Sequence, residues 1–252
     1  MSLISEFKYP LVIAHRGVSS LFPENTMPAF MAAINIGCQM IELDVSLTKD
    51  GRVVVIHDDT LERTTSGGGR ICDTIFDDIS GLDAGLKMSD GKIGTHIPLL
   101  EDVLKLAKGR IAVNIEIKSE VDKKKWNGKS AEEHILKLVL ENEMGKNVIF
   151  SSFSTNILRV LRSFSKDIYI GILTYGDPRP PVQYSKELDV FSWHPEGVNL
   201  TKKHIAYYKK RTGRKVIPYT LNKKRKIKRL LHAGIDGYFT DFPQNYIGVF
   251  HE

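Results

Sequence analysis

The stretch Ile41-Glu42-Leu43-Asp44-Val45-Ser46-Leu47-Thr48-Lys49-Asp50-Gly51-Arg52-Val53-Val54-Val55-Ile56-His57-Asp58 decides the fold. Two apolar, β-branched runs flank Asp50-Gly51, a strong signal for a two-residue hairpin turn. Pairing about that turn sets Thr48 opposite Val53, Ser46 opposite Val55 and Asp44 opposite His57. Strand alternation then puts Glu42, Asp44 and His57 on one face. Two acids and an imidazole on a face of an otherwise apolar ribbon are costly to bury without a purpose. They mark the ribbon as a candidate for chemistry.

Upstream, Leu11-Val12-Ile13-Ala14 is an apolar run without alternation, the pattern of a strand buried on both faces. His15-Arg16-Gly17 follows at its C-terminal end. Asn25-Thr26-Met27-Pro28 opens a helix that closes at Gly37. Downstream, residues 58–97 are polar, contain Gly67-Gly68-Gly69 and hold only scattered apolar residues. A stretch of that length inside a compact domain reads as a functional loop or a small inserted cap.

Regular units resume at Pro98. They are a helix over Leu100–Lys108, a strand Ile111–Ile117, a helix Ala131–Glu143, a strand Asn147–Phe150, a helix Thr155–Ser163 and a strand Ile168–Ile172. After the Pro-rich Asp177-Pro178-Arg179-Pro180-Pro181 come a strand Val190–Ser192, a helix Lys202–Lys210, a strand Lys215–Tyr219, a helix Lys223–His232 and a strand Gly237–Phe239. This alternation implies parallel strands in one domain spanning residues 1–252. Nine strand candidates exceed a (β/α)8 TIM barrel by one. The surplus disappears if Val53–Ile56 returns antiparallel at the rim. An open doubly wound sheet is the alternative, but no Gly-x-Gly-x-x-Gly follows a strand.

Composition narrows the functional classes. The chain has 252 residues, 42% hydrophobic and 26% charged, enough for one large α/β core. Cys38 and Cys72 are too few for a disulfide framework and lack zinc-ligand spacing. The N-terminal residues carry no secretory pattern, and no segment reaches ~18 uninterrupted apolar residues, so a cytoplasmic protein without stable membrane insertion is expected. The net charge of +6 is densest at Lys209-Lys210-Arg211 and from Lys223 to Arg229. There Ile227, Leu230 and Leu231 recur at helical spacing, so the lysines read as the wet face of an amphipathic helix and no nucleic-acid partner is expected.

Polar residues collect where the apolar strands end: His15 and Arg16, Glu42 and Asp44, His57, then Glu116 and Lys118 in Asn114-Ile115-Glu116-Ile117-Lys118. Later strands end in Ser151-Ser152-Phe153, Trp193-His194, Tyr219-Thr220 and Thr240-Asp241. In a parallel barrel these ends share one mouth. Carboxylates ~4 Å apart repel by about 4 kcal/mol at an effective dielectric of 20, so three together would cost on the order of 12 kcal/mol uncompensated. Lys118 and Arg16 can compensate. A hard divalent cation also suits an all-oxygen cluster. Free imidazoles beside it fit acid–base work near neutral pH, and Arg16 and Lys118 suit an anionic substrate. Together these groups point to phosphoryl chemistry on a phosphodiester.

At this point the motifs are recognisable. His15-Arg16-Gly17, Pro23-Glu24-Asn25-Thr26, Glu42-Leu43-Asp44-Val45, Val55-Ile56-His57-Asp58, Leu61-Glu62-Arg63-Thr64-Thr65 and Asn114-Ile115-Glu116-Ile117-Lys118 resemble the glycerophosphodiester phosphodiesterase family. So do Ile97-Pro98-Leu99-Leu100-Glu101, Ser151-Ser152-Phe153 and Gly234-Ile235-Asp236-Gly237 with Thr240-Asp241-Phe242-Pro243. The resemblance runs from about Ile13 to Pro243 in the family's order. It implies a TIM barrel of the phosphatidylinositol-phospholipase-C-like kind with residues 58–97 as an inserted cap. It further implies hydrolysis of glycerophosphodiesters, such as glycerophosphocholine or glycerophosphoethanolamine, to sn-glycerol 3-phosphate and an alcohol. Carried over, Glu42, Asp44 and Glu116 look like ligands of one Mg²⁺ or Ca²⁺, and His15 and His57 like the acid–base pair. Arg16 and Lys118 look like phosphate contacts, with Phe153 and Tyr219 as pocket walls. Tyr219 departs from the tryptophan frequent in the family and adds a hydroxyl near the leaving group. Two rivals share these residues: a lysophospholipase D and a non-catalytic phosphate- or metal-binding module.

Overall fold

A computed structural model describes residues 2–85, 94–118, 125–126, 128–177 and 179–249. The elements, in order, are β1 (Leu11–Ala14), α1 (Met27–Asn35), β2 (Met40–Leu47), β3 (Val53–Val55), α2 (Phe76–Ile79), α3 (Leu100–Ala107), β4 (Ala112–Ile117), β5 (Lys125–Trp126), β6 (Lys129–Ser130) and α4 (Ala131–Glu141). They continue with β7 (Val148–Ser152), α5 (Thr155–Phe164), β8 (Tyr169–Thr174), α6 (Val182–Glu187), β9 (Ser192–Pro195), α7 (Lys202–Thr212), β10 (Lys215–Val216), α8 (Lys224–His232) and β11 (Gly237–Thr240).

Eight strands run parallel in the order β10-β9-β8-β7-β4-β2-β1-β11, with β3 antiparallel on β2. The ring closes through backbone bonds from Asp236 N–H to Val216 O (2.9 Å), Phe239 N–H to Pro218 O (3.0 Å) and Leu221 N–H to Phe239 O (2.8 Å). Pro218 has no N–H to add, which leaves this seam short of a full ladder. The barrel expected from the strand count is therefore observed, and the surplus strand is β3.

Alternation along the parallel strands sorts two cores. Ile13, Met40, Ala112, Ile149, Ile217 and Phe239 belong to one cluster, to which Ile4 of the N-terminal 3₁₀ turn adds a plug. Their neighbours Val12, Ala14, Ile41, Leu43, Val113 and Tyr238 join the larger cluster formed with the helices. Helix faces follow suit: α8 buries Ile227 and Leu230, and its lysines lie outside.

The hairpin register differs from expectation by one residue. Val45 pairs with Val55, Ser46 with Val54 and Leu47 with Val53. The loop has three residues, not two, because Thr48 N–H bonds Arg52 O at 3.0 Å and Gly51 adopts φ +80°. The Thr48 hydroxyl holds this turn, donating to Asp50 Oδ1 (2.6 Å) and accepting from Arg52 N–H (2.9 Å). A left-handed glycine closing a type I turn is the three-residue alternative to the paired type I′ turn. Asp44 thus lies opposite Ile56, whose N–H bonds Asp44 O at 3.0 Å, and His57 lies beyond the end of β3. Val54 and Ile56 instead pack with Leu61, Ile71, Ile79, Ile97 and Leu99, a small core beneath the inserted segment, of which residues 86–93 lie outside the described set.

Two other elements differ. The strand expected at Val190–Ser192 begins at Ser192, because Val190 N–H returns to Ser185 O (3.1 Å) and closes α6, a helix the Pro-rich stretch concealed. Pro178 of that stretch lies outside the described residues. The small β5–β6 hairpin was also not expected.

Gly237 sits opposite Leu11 where the ring passes from β11 to β1, and a Cβ there would stand 2.5 Å from the Leu11 carbonyl oxygen. Gly237→Ala is expected to cost on the order of 1–3 kcal/mol of stability through overpacking, read as a lowered urea midpoint with unchanged m-value.

Candidate active site

The C-terminal ends of the barrel strands carry the site. Alternation continues past the apolar layer, so the strands that turn Met40 and Ala112 inward also turn Glu42, Asp44, Asn114 and Glu116 toward the axis. Register sets Asp44 beside Glu116 and Glu42 beside Asn114 on adjacent strands. One oxygen from each of Glu42, Asp44 and Glu116 lies within 4.8 Å of the others. Asn114 donates from Nδ2 to Ser151 Oγ at 2.8 Å, and its buried Oδ1 has no hydrogen-bond partner among the described residues.

The turn after β1 brings cations to these acids. Arg16 adopts φ 56° and Gly17 φ 81°, with a Gly17 Cβ excluded by the Ala29 backbone at 2.6 Å. This left-handed turn aims Arg16 N–H at Glu42 Oε2 (2.9 Å) while its side chain reaches Asp44 Oδ2 (Nε, 3.2 Å) and Glu24 Oε1 (Nη1, 2.9 Å). A non-glycine residue held there signals strain that the contacts must offset. Asn25, also at positive φ, donates to Asp44 Oδ2 at 2.9 Å. From β4, Lys118 Nζ lies 2.7 Å from both Asp44 Oδ1 and Glu116 Oε1.

These contacts divide the acids. Burial and the neighbouring Asp44 push Glu42 up to about 8. Burial and Asp44 also raise Glu116. Burial works against ionised Asp44 too, but Lys118 and Arg16 outweigh it and hold that carboxyl far below its usual range. The three carboxyls outnumber the two cations that contact them, and burial biases Glu42 toward its neutral form. Three carboxyl groups, Glu42 and Asp44 buried and Glu116 nearly so, are the hard-oxygen donor set that suits Mg²⁺ or Ca²⁺.

Both imidazoles are anchored by a carboxylate through Nδ1: His15 by Asp241 Oδ1 at 2.6 Å and His57 by Asp58 Oδ1 at 2.5 Å. Hydrogen bonds from Arg63 and His57 hold Asp58 down to about 2. Asp241 is also lowered: its burial is outweighed by the hydrogen bond from His15 and by Asn222. Ionised carboxylates only accept, so each Nδ1 carries a proton toward its carboxylate. Burial lowers the His15 pKa, but Glu42, 3.9 Å from Nε2, and Asp241 outweigh it and leave it raised. Burial lowers His57, with Asp44 opposing and Arg16 and Lys118 assisting.

Around the mouth, Phe153 and Tyr219 meet edge to face with centroids 6.0 Å apart. The Tyr219 hydroxyl donates to Thr174 O at 2.9 Å, so this residue contributes a ring rather than a free hydroxyl. His194, named among the strand ends, is wholly buried beside Phe239, its Nε2 2.7 Å from Ser192 Oγ, and burial drives it down to about 3. It is a neutral packing residue.

The structure therefore assembles His15, His57, Arg16, Lys118, Glu42, Asp44 and Glu116 in one mouth, with Phe153 and Tyr219 at its rim. Sequence reasoning did not assign Asp58, Asp241, Glu24, Arg63 and Asn25. Asp58 and Arg63 lay inside quoted motifs, and Asp241 was among the strand-end polar residues, but nothing local ties them to an imidazole.

A parallel barrel with carboxylate-anchored imidazoles beside a buried acidic cluster at its C-terminal mouth defines an enzyme of the TIM-barrel class. The sequence profile of the Glycerophosphoryl diester phosphodiesterase family matches residues 15–245. A glycerophosphodiester phosphodiesterase of Caldanaerobacter subterraneus subsp. tengcongensis is 39% identical over 240 residues, covering 95% of this chain and 97% of the relative. One of Bacillus altitudinis is 34% identical, covering 96% and 98%. Among solved structures, an Oleispira antarctica phosphodiesterase in complex with the product sn-glycerol-3-phosphate superposes with TM-score 0.85 at 28% identity, over 100% of both chains. This chain belongs to the glycerophosphoryl diester phosphodiesterase family.

The low value of Asp58 has a consequence for stability. A carboxyl lowered on folding stabilises above its ordinary 3.8 and loses that contribution as pH falls toward about 2. Asp58→Asn should therefore destabilise the protein at pH 5, with the gap from wild type closing between about pH 4 and 2 in urea titrations.

Proposed function

We propose that this enzyme hydrolyses glycerophosphodiesters to sn-glycerol 3-phosphate and an alcohol in a metal-dependent reaction, using His15 and His57 as the acid–base pair. The observation that carries this reading is the pair of Nδ1-anchored imidazoles flanking the buried Glu42, Asp44 and Glu116 cluster. The relatives' names and the neighbour's bound product support the substrate class.

Arg16 and Lys118 would bind the phosphoryl oxygens, the first as a planar fork and the second as a point charge. One imidazole, neutral with Nε2 free, takes the proton of the attacking oxygen, while the other, in its doubly protonated imidazolium form, delivers its Nε2 proton to the departing alkoxide. A new P–O bond forms as the P–O bond to the alcohol breaks. The attacking oxygen belongs either to water or to the substrate's own glycerol 2-hydroxyl. In the latter case a cyclic phosphate forms and a water molecule opens it. Glu42, Asp44 and Glu116 would hold one Mg²⁺ or Ca²⁺, which supplies Lewis-acid stabilisation of the phosphoryl charge when bound. Among the described residues no helix is long and apolar enough to cross a membrane.

A second reading has its own observation. Leu21 (54% exposed), Tyr175 (73%) and Val198 (68%) sit on loops after β1, β8 and β9, around the same mouth, where an acyl chain could rest. A lysophospholipase D would use them.

Release of sn-glycerol 3-phosphate from glycerophosphocholine and glycerophosphoethanolamine, set against release of lysophosphatidic acid from lysophosphatidylcholine, with chelator and metal add-back, separates these readings. Turnover of the water-soluble diesters that is lost on chelation and restored by Mg²⁺ or Ca²⁺ is expected. Activity that survives exhaustive chelation would remove the metal assignment, and preference for the lysolipid would favour the second reading. ³¹P NMR under single turnover tests for the cyclic phosphate.

His15→Ala and His57→Ala should each lower kcat at least about 100-fold, the scale of a lost general acid or base. Metal binding, followed by calorimetry, should persist in both and weaken in Glu116→Ala. Normal turnover by either histidine variant would refute the acid–base assignment.

A further inference from the structure

Arg63 belongs to the inserted segment rather than to the barrel, yet its guanidinium holds both carboxylates behind two of the mouth's functional groups. Nε and Nη2 donate to Asp58 Oδ2 (2.5 Å) and Oδ1 (3.0 Å). Nη1 and Nη2 donate to Glu24 Oε2 (3.0 Å) and Oε1 (2.7 Å). Asp58 in turn anchors His57 Nδ1, and Glu24 Oε1 accepts from Arg16 Nη1. One planar fork thus links the phosphate-side arginine to an imidazole through two charge-assisted bidentate contacts.

We infer that Arg63 is a positioning residue that fixes the imidazole of His57 and the guanidinium of Arg16 relative to each other, which makes the inserted segment part of the catalytic apparatus. The inference rests on the reading of His57 as an acid–base group. Asp58 is adjacent to His57 in sequence and its side chain is only partly buried, and Arg63 holds both of its oxygens, so without Arg63 its carboxylate has room to turn away from Nδ1. The Nδ1–H tautomer, which leaves Nε2 free, is the form that an ionised, fixed Asp58 enforces. A purely stabilising role does not account for the geometry. The Arg63 side chain is 45% exposed, so solvent discounts what its ion pairs add to stability, and stability alone would not call for one fork on two carboxylates that each hold a mouth residue. The local backbone has its own supports: Thr65 N–H bonds Leu61 O at 3.1 Å, and Leu61 is buried in the small core with Ile56 and Ile71. A lysine could not replace the fork, since a single ammonium cannot make two bidentate contacts.

The test is Arg63→Ala read by two independent measurements. In ¹⁵N-histidine-labelled protein, with His57 assigned through His57→Gln, long-range ¹H–¹⁵N NMR should report mainly the Nδ1–H tautomer in wild type. A shift toward Nε2–H is expected in Arg63→Ala. Turnover of glycerophosphocholine should fall on the order of 10- to 100-fold in kcat, the range for a lost partner of a functional side chain, and free guanidinium in the buffer should restore part of it. A His57 tautomer that does not move in Arg63→Ala overturns the inference, whether kcat stays within about twofold of wild type or falls without guanidinium rescue. If the tautomer shifts but wild-type protein hydrolyses no phosphodiester, the positioning by Arg63 stands and the phosphodiesterase reading is what fails.

Discussion

The burial of three carboxylates in one barrel mouth is the constraint on which the surrounding structure depends. With donor oxygens no more than 4.8 Å apart, each ionised pair repels by at least roughly 3 kcal/mol at an effective dielectric near 20. The molecule answers with cations drawn from separate elements and with burial that biases Glu42 toward its neutral form. Arg16 comes from a left-handed turn after β1, and Lys118 from the end of β4. The positive φ at Arg16, the glycine beside it and the contact of Asn25 with Asp44 all serve to bring positive and donor groups to the same two acids. With one oxygen of each acid within 4.8 Å of the others, the donor set fits a divalent cation without any change of fold.

A second layer governs direction rather than charge. His15 and His57 reach the mouth from different supports, one at the end of a barrel strand and one beyond a rim hairpin, yet each meets a carboxylate at Nδ1. For His15 this leaves Nε2 3.9 Å from Glu42 Oε2. The two imidazoles differ in setting: His15 is raised by its acidic neighbours, and His57 is lowered by burial. The inserted segment enters the same layer through Arg63. It is held to the barrel by the apolar contacts of Val54 and Ile56, which the three-residue turn places on the cap side.

That turn also explains where the reading of the sequence went astray. Asp50-Gly51 fits a two-residue loop, and the expected register brought His57 directly opposite Asp44. The Thr48 hydroxyl and Gly51 at φ +80° stabilise one more loop residue, and a shift of one exchanges faces along β3. His57 reaches the site because the chain leaves the ladder after Val55, not because alternation carries it there. The strand expected at Val190 failed for a related reason: the backbone of that residue closes α6.

The sequence by itself determined the alternation of strands and helices, the rim hairpin that reconciles nine strands with eight, and the acids, imidazoles and cations at the strand ends. Those features follow from period, turn chemistry and residue type, all of which act over a few neighbouring positions. Only the tertiary structure decided which partner each functional group has. Asp241 meets His15 across 226 residues because β11 closes against β1, and Arg63 meets Glu24 across 39 because the inserted segment folds back over the mouth. The Tyr219 hydroxyl, open in the sequence, is taken by Thr174 of a different strand, and His194 is turned into the packed interior. Barrel closure sets those pairings, and no local pattern encodes the distance between residues that meet only when the ring is complete.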